Sequence, residues 1–362
     1  MGNKKGNEYS PDYAVAPGET LADTIQALGM TQAELAARTG RPVKTISEII
    51  NGKEAITPRT ALQFERVLGV PASFWNNLER NYRETLERIE ERKRLGAQVE
   101  WLKKLPVRSM VKLGWIRPWK DKAAQVAELL NFFGVASPEQ WESLWSEGAV
   151  AYRKPRAFQS DAGAVSAWLR KGELDAKAVE CKPYNEEKFK EILSRIRLIT
   201  NHPLGMLLPE MARLCAEAGV AVVFVPEVDK SRVCGATRWL SPTKALIQLS
   251  YRYRTDDHLL FTFFHEAGHI LKHGKRDVFV ECDGNTNGAE EEANRFASAF
   301  LIPASAYQSI SRKVPRSAEE VKSVANELSI APGIVVGRLQ HDGIIPMNYF
   351  NELKRHVDWE RI

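Results

Sequence analysis

Residues Phe263–Leu271 read Phe-Phe-His-Glu-Ala-Gly-His-Ile-Leu, an apolar run that contains two histidines and a glutamate. Residues four apart lie on one face of an α-helix, so His265 and His269 can direct their imidazole rings at the same metal ion. Glu266 would emerge beside them, where a general base stands next to an open coordination position. Such polar groups are costly in an apolar helix unless they are paired or bind a metal. The sequence therefore predicts a buried helix that carries a zinc site.

A zinc site of this kind needs a third protein ligand, and a second helical pattern offers one. Its buried stripe consists of small and aromatic residues, namely Ala293, Phe296, Ala297 and Phe300. Glu290 lies one turn before Asn294 on the flank of this stripe, and Glu291 is expected to face water. We favour Glu290 as the third ligand, with Asn294 hydrogen-bonded to a ligating histidine. Glu292, on the other flank, is the rival candidate.

The sequence of residues 263–269, followed by Glu290-x-x-Ala293-Asn294-x-Phe296-Ala297, resembles the ImmA/IrrE family of zinc metallopeptidases. Gly235–Leu240 and Ala245–Ser250 also resemble the strands that precede the zinc helix in that family. The resemblance covers roughly residues 205–305 and implies an α+β, zincin-like domain. By this resemblance zinc is the cofactor, Glu266 is the catalytic base, and the metal ligands are His265, His269 and Glu290. The family is associated with cleavage of partner regulators, often transcriptional repressors.

The N-terminal region has the pattern of a helix-turn-helix. Thr31 is a predicted N-cap with Glu34 three residues later, and the helix that they open ends at Gly40. A short turn leads to a further helix, Val43–Ile50, and two short helices with this connection place the second in the DNA major groove. The side chains expected to face base edges are Lys44, Thr45, Ser47 and Glu48. Those expected to contact phosphates are Gln32, Asn51 and Lys53.

Pro17 to about Tyr82 resembles the Cro/C1-type (XRE) helix-turn-helix domain, and more closely the HigA-type antitoxin branch. The resemblance is carried by Pro17–Leu21, Gly29–Gln32, Ile46–Lys53 and Phe74–Leu78. From Pro17 to Arg80 seven basic residues balance seven acidic ones. Without net positive charge a monomer would bind DNA weakly, so binding would depend on a homodimer or on basic residues further along the chain. A helical interaction domain without DNA contacts is the alternative.

The rest of the chain predicts further helices. We divide it into a flexible arm (1–16), a helix-turn-helix domain (17–95), a helical connector (96–204), a metallopeptidase domain (205–310) and a helical C-terminal lobe (311–362). Apolar residues at three- and four-residue intervals between 78 and 89 fit either a dimerising helix pair or packing on a neighbouring domain. Ten basic residues between Arg92 and Lys122 fit either phosphate contacts or a solvated helical face.

Composition excludes several classes of protein. The 362 residues carry a formal charge of +5, with no apolar run long enough to span a bilayer and no signal-peptide core at the N-terminus, so a cytoplasmic location is expected. The cysteines are scattered and are expected to be reduced: Cys181, Cys215, Cys234 and Cys282.

Two functions follow from these patterns. The first is a sequence-specific transcriptional regulator that binds operator DNA and carries a zinc endopeptidase, which cleaves a partner regulator. The second is a HigA-like antitoxin or autorepressor whose partner is a toxin and whose peptidase-like domain senses or docks without proteolysis. For the peptidase, the sequence further predicts that an extended substrate pairs with a free edge of the strand Ala245–Ser250.

Overall fold

A computed structural model describes residues 13–146, 161–275, 278–282 and 288–357. These residues divide into two compact units. The first runs to Val99 and includes Lys120–Val126, and the second comprises Glu100–Trp119 together with the described residues from Ala127 onward. Most of the predicted flexible arm, residues 1–12, lies outside the described residues. The five-part domain division made from the sequence stays a prediction.

The first unit is helical, as predicted. Its helices are α1 (Pro17–Ala27), α2 (Gln32–Thr39), α3 (Val43–Ile50), α4 (Pro58–Leu68) and α5 (Ala72–Ala97). The Thr31 side chain accepts a hydrogen bond from the backbone N–H of Glu34 at 3.2 Å and so caps α2. Gly40 ends α2 with a φ of +67°, a conformation that favours glycine, and the turn leads directly into α3. The helix-turn-helix predicted from the sequence is confirmed.

A buried core holds these helices in place. It is formed mainly by aliphatic and aromatic side chains, among them Leu21, Leu35, Ile46, Ile49, Phe64 and Trp75. Helix α1 crosses α3 closely at Gly18, where an added Cβ would lie 2.2 Å from the Ile49 carbonyl oxygen. The face of α3 opposite Ile46 and Ile49 is therefore the one that can contact other molecules.

Helix α5 continues beyond this core. Its apolar residues beyond Trp75 are half-buried, namely Leu78, Tyr82, Leu86 and Ile89. Leu78 still packs against the core, and the proposed role of these residues in a dimer stays a prediction. Part of the basic stretch that follows is paired with acidic side chains: Arg92 contacts Asp121 at 2.8 Å, and Lys103 contacts Glu100 at 2.6 Å. These pairs favour the solvated-face interpretation for the residues involved.

The predicted helical connector is also helical where the structure describes it. It contains a 3₁₀ turn (Val99–Lys104), α6 (Val107–Lys112), α7 (Lys122–Phe133), α8 (Pro138–Trp141) with a π turn (Glu142–Ser146), α9 (Ala162–Ala178) and α10 (Glu186–Leu198). Trp141 and Trp168 are buried, and Trp145 is half-buried. The Trp168 indole N–H donates to the Val225 carbonyl at 3.0 Å, which ties α9 to the sheet of the second unit.

That sheet has four strands: β1 (Val220–Phe224), β2 (Val233–Ser241), β3 (Lys244–Leu249) and β4 (Phe279–Cys282). The order is β1-β3-β2-β4, with β1 parallel to β3 and the other pairs antiparallel. Helix α9 packs on one face through a core that includes Ala221, Val223 and Leu246. The other face, through Val220, Val222 and Ile247, packs on the larger core of the unit.

The prediction of a free edge on Ala245–Ser250 is wrong. Strand β3 lies between β1 and β2, and both of its edges are hydrogen-bonded within the sheet. Its apolar side chains predict a buried strand, but a strand's own sequence does not reveal which strands pair with it. The described strands at the sheet edges are β1 and β4.

The remaining helices of the second unit are α11 (Leu204–Ala216), α12 (Asp256–Lys272), α13 (Gly288–Leu301), α14 (Ala304–Arg312), α15 (Ala318–Glu327) and α16 (Pro332–His341), with a 3₁₀ turn at Asn351–Leu353. Residues of α12, α13, α15 and α16 share one hydrophobic core with the sheet. The C-terminal lobe predicted to be helical thus contains α15 and α16, which share a core with α12 and α13.

Among the described residues no helix has both the length and the apolar character needed to cross a membrane. Cys181 and Cys215 are free cysteines, and the side chain of Cys282 lies outside the description. The multidomain fold class expected from the sequence, with a helical N-terminal region, a helical middle and an α+β region, is confirmed.

Candidate metal centre

Helix α12 places two histidines side by side in the interior of the second unit. His265 is 1% exposed and His269 is 2% exposed, and their Nε2 atoms lie 3.0 Å apart. Phe263 and Phe264, on the flanks of the same turn, are fully buried. Apolar packing on both sides of the helix therefore fixes the face that carries the imidazole rings.

Helix α13 brings Glu290 to these histidines. Its Oε2 atom lies 3.0 Å from the Nε2 atom of His265 and 3.6 Å from that of His269. The two helices come close at Gly268, where an added Cβ would lie 3.0 Å from the Phe296 ring and 3.3 Å from the Ala293 Cα. Because Glu290 is 4% exposed, its carboxylate is shielded from water. Of the two glutamates weighed from the sequence, the structure brings Glu290 to the histidine pair.

The donor atoms of His265, His269 and Glu290 lie within 4.8 Å of one another, so they can share one ion. A tetrahedral zinc ion with bonds of about 2.0–2.1 Å holds its donors roughly 3.3 Å apart, which the observed separations of 3.0 and 3.6 Å bracket. Two imidazoles and one carboxylate are a donor set that zinc uses in catalytic sites. The residues therefore fit a zinc ion.

The electrostatics of the three groups are strongly coupled. Burial by itself raises the pKa of Glu290, but hydrogen bonds from His265 and His269 and the nearby imidazoles outweigh it and lower that pKa to about 2. Burial lowers the pKa of His269, and the neighbouring His265 adds to this. At neutral pH these shifts favour an ionised carboxylate and a neutral imidazole, which are the forms that bind a metal.

Hydrogen bonds on the far side of each ring orient the two histidines. The Nδ1 atom of His265 lies 2.9 Å from Asn294 Oδ1, and that of His269 lies 3.0 Å from His273 Nδ1. If Nε2 of His269 holds a metal, its proton must be on Nδ1, which then donates to His273. His273 in turn carries its proton on Nε2, 3.6 Å from Glu292 Oε2.

His273 was missed in the reading of the sequence, although it continues the four-residue spacing of His265 and His269. Helical periodicity alone does not show whether His273 contacts His269 or faces water, because His273 lies just beyond the end of α12 at Lys272. The contact to His269 depends on the extended backbone of His273 just after the helix. Glu292, the rival ligand, lies beside His273 instead.

Glu266 lies on the side of α12 that faces the sheet, and it is fully buried. Its backbone carbonyl accepts a hydrogen bond from the Thr237 hydroxyl at 3.1 Å. Its carboxylate lies against Gly235 of β2, where an added Cβ would be 2.6 Å from Oε1. A strand without a side chain at this position therefore leaves room for the Glu266 carboxylate. Nothing in the sequence of β2 pointed to this role of Gly235.

In the first unit, α3 and its flanks hold the positions predicted to contact DNA. Lys44, Asn51, Lys53 and Gln32 are exposed, and Thr45, Ser47 and Glu48 are half-buried. The Asn51 side-chain amide donates to the Ser47 carbonyl at 2.7 Å and so caps the end of α3. Lys44 lies 3.7 Å from Glu48, a pairing that reduces the positive charge of this face. Contacts between these residues and DNA stay a prediction.

Comparison with protein families agrees with this organisation. Residues 21–75 match the family described as helix-turn-helix, and residues 215–340 match the family described as the IrrE N-terminal-like domain of M78 peptidases. The chain thus joins a helix-turn-helix DNA-binding domain to an IrrE-like peptidase domain, and both resemblances found in the sequence are confirmed. The second match contains α12 and α13 and therefore the whole histidine–glutamate cluster.

Two solved structures are similar to about a quarter of the chain. One is an addiction module antidote protein of a HigA family from Coxiella burnetii, 30% identical, covering 24% of this chain and 91% of that one with a TM-score of 0.21. The other is described as an antidote protein of a plasmid maintenance system from Nostoc punctiforme, 30% identical, covering 24% and 94% with a TM-score of 0.22. Among curated proteins, none matches this chain significantly.

Proposed function

We propose that this protein is a cytoplasmic, sequence-specific transcriptional regulator that binds operator DNA as a homodimer and cleaves a partner regulator with a zinc-dependent endopeptidase domain. The observation that carries the proposal is the buried cluster of His265, His269 and Glu290 with Glu266 on the adjacent position of α12. The two imidazoles and the Glu290 carboxylate would hold the ion. When bound there, zinc supplies Lewis acidity toward a peptide carbonyl and acidifies water.

The side chains of the chain supply the remaining chemistry. Glu266 takes the proton of the attacking water and delivers it to the amine that leaves when the peptide C–N bond breaks. Burial of Glu266 against Gly235 excludes bulk water from its carboxylate. Asn294 and His273 keep the rings of His265 and His269 in the orientation in which both Nε2 atoms face Glu290.

The peptidase half of the proposal is tested by metal content and cleavage together. Purified full-length protein should contain near one zinc per chain and should cleave members of a bacterial peptide library, with products identified by mass spectrometry. Glu266→Gln should retain zinc and lose cleavage, because it keeps the shape of the side chain but removes the base. His265→Ala and Glu290→Ala should lose both. The matched control is Glu291→Gln, which replaces an exposed glutamate next to Glu290 on α13.

Two results would contradict the peptidase half. Cleavage that persists in Glu266→Gln would remove the proposed base from the mechanism. Wild-type protein without zinc under metal-replete conditions would leave the antitoxin or autorepressor function, with a peptidase-like domain that senses or docks and a toxin as partner.

The DNA-binding half is tested separately with a selected operator sequence. Lys53→Ala should weaken binding to all sequences and should reduce by about one the slope of log affinity against log salt, as the loss of one phosphate contact does. Thr45→Ala should instead relax sequence preference at one base position. Unchanged affinity and salt dependence in Lys53→Ala would exclude the phosphate contact.

A further inference from the structure

A cavity of about 410 Å³ lies in the second unit between helices from the middle of the chain and the sheet. Its walls come from the end of α6 and the turn after it, from α7 and α9, and from the end of β1. The described residues that line it include none of the metal donors. The cavity is therefore separate from the candidate metal centre, and its occupancy does not depend on peptide cleavage.

Three aromatic rings form part of the wall. Trp115 lies just after α6, Phe132 lies on α7, and Phe224 ends β1. The Trp115 and Phe132 rings are parallel within 4°, with centroids 6.4 Å apart. Phe224 stacks at 28° on Tyr251, with centroids 6.1 Å apart, and this contact supports its ring. Because Trp115 is only half-buried and lines the cavity, its indole offers a surface on which a flat ring can stack.

The volume of the cavity suits a small molecule larger than a single ring. An apolar protein cavity of about 150 Å³ holds one benzene molecule, so a cavity of about 410 Å³ has room for a two-ring system with a charged substituent. Small-molecule sites in proteins commonly enclose roughly 300–1,000 Å³ and combine aromatic walls with a few polar groups. The lining of this cavity has that composition.

The charged side chains in the wall favour an anion. Lys171 pairs with Asp175, one turn further along α9. Lys112, the last residue of α6, is exposed and has no ion-pair partner among the described residues. Two basic groups and one acidic group leave the wall with an excess positive charge. A cationic ligand would be repelled by both lysines and would find Asp175 already paired, whereas an anionic ligand would be attracted.

We propose that this cavity binds a small aromatic anion, that is, a flat ring system that carries a carboxylate or a phosphate. The ring stacks on Trp115, and the anionic group pairs with Lys112. Because an ammonium group has three N–H donors, Lys171 also donates to the anion while it keeps its contact with Asp175. Aromatic carboxylates and nucleoside monophosphates share this chemistry, and binding measurements distinguish the two.

The first test compares probes that share a ring and differ in charge, with binding to full-length protein measured by calorimetry. Indole-3-acetate is an anion and tryptamine is a cation with the same ring, while AMP and adenosine form the corresponding pair for nucleotides. In at least one pair the anion should bind about fivefold more tightly, as one partly exposed ion pair allows. The pair that shows this preference identifies the class of ligand. If neither anion binds more tightly than its counterpart, the proposal is overturned.

The second test places the probe in this cavity. Lys112→Glu reverses the charge of an exposed residue and should weaken binding of the preferred anion about tenfold. Lys322→Glu makes the same change at an exposed position on α15 and should leave binding unchanged. Trp115→Ala should weaken both members of the pair alike, because stacking does not depend on the charge of the ligand, and Trp115→Phe should recover part of this loss.

Two results from the variants would overturn the proposal. Anion binding that is unchanged in Lys112→Glu would show that the anionic group lies elsewhere. Equal losses in Lys112→Glu and Lys322→Glu would show that the anion responds only to the net charge of the protein. Lys112→Glu keeps the test valid if Trp115→Ala does not fold, since the Lys112 side chain is exposed.

Discussion

At the scale of single residues, the candidate centre depends on two positions that the zinc-binding pattern does not include. Gly235 provides space for the Glu266 carboxylate, and His273 contacts the outer nitrogen of His269. Both act through a neighbour, since neither belongs to the metal-donor cluster. Substitutions at these positions can therefore separate metal binding from proton transfer.

For Gly235→Ala we expect loss of peptide cleavage with retention of zinc. The added Cβ would lie 2.6 Å from Glu266 Oε1 and 2.6 Å from the Thr262 methyl group, so the carboxylate must move. A displacement of about 1 Å at a catalytic group costs on the order of 100-fold in rate. The measurement is kcat on a cleaved peptide, with zinc content determined on the same sample. A kcat close to wild type would show that the carboxylate tolerates the shift.

For His273→Ala we expect zinc affinity to fall by about 10- to 100-fold, the usual effect of removing a hydrogen-bond partner of a ligating histidine. His273→Gln, which retains an acceptor near His269 Nδ1, should recover part of this loss. Affinity is measured by competition with a chelator of known zinc affinity. Equal affinity in wild type and His273→Ala would mean that His269 needs no partner on its outer nitrogen.

At the scale of secondary-structure elements, an ion-pair cluster joins α9 to the sheet. Glu173 contacts Arg170 and Lys177 on its own helix, both at 2.8 Å, and Arg238 of β2 at 3.4 Å. Its side chain is 17% exposed. Burial raises the pKa of Glu173, but the hydrogen bond from Lys177 and the Arg238 and Arg170 guanidinium groups outweigh it and hold that pKa below the ordinary value of 4.5.

This shift predicts a pH dependence of stability. A carboxylate whose pKa is lower in the folded state stabilises the fold above its unfolded pKa, and this contribution is lost as the pH falls through the folded pKa. Glu173→Gln should therefore lower the free energy of unfolding by about 2 kcal/mol at pH 7, and the difference should shrink below pH 4.5. Urea unfolding across this pH range measures it, and Glu191→Gln, an exposed position on α10, is the control. A difference that is constant with pH would exclude the ionic origin.

At the scale of the whole molecule, the chain consists of two compact units, and the donor cluster lies entirely in the second. A ligand that binds only the folded form stabilises it by about 2.7 kcal/mol at a free concentration of 100 times its Kd. Zinc should therefore stabilise the second unit and leave the first unchanged.

We expect calorimetry of the full chain to show two transitions, of which only one shifts on addition of a chelator. For a unit of about 250 residues the loss should lower its Tm by roughly 5–10 °C. His265→Ala should show the lower Tm with or without chelator. A shift of both transitions would mean that zinc stabilises the first unit as well.

The sequence determined the parts of this protein that local periodicity controls. Helical spacing placed His265 and His269 on one face of α12, and the cap at Thr31 with the glycine at Gly40 marked the helix-turn-helix. In each case the residues that define the pattern lie within a few positions of one another along the chain. The helical and α+β regions could be predicted for the same reason.

Only the tertiary structure decided what depends on contacts between distant segments. It placed Glu290 rather than Glu292 beside His265 and His269, put β3 inside the sheet, and brought Gly235 against Glu266. These arrangements follow from how α13 and β2 pack on α12, and neither helical nor strand periodicity specifies a partner.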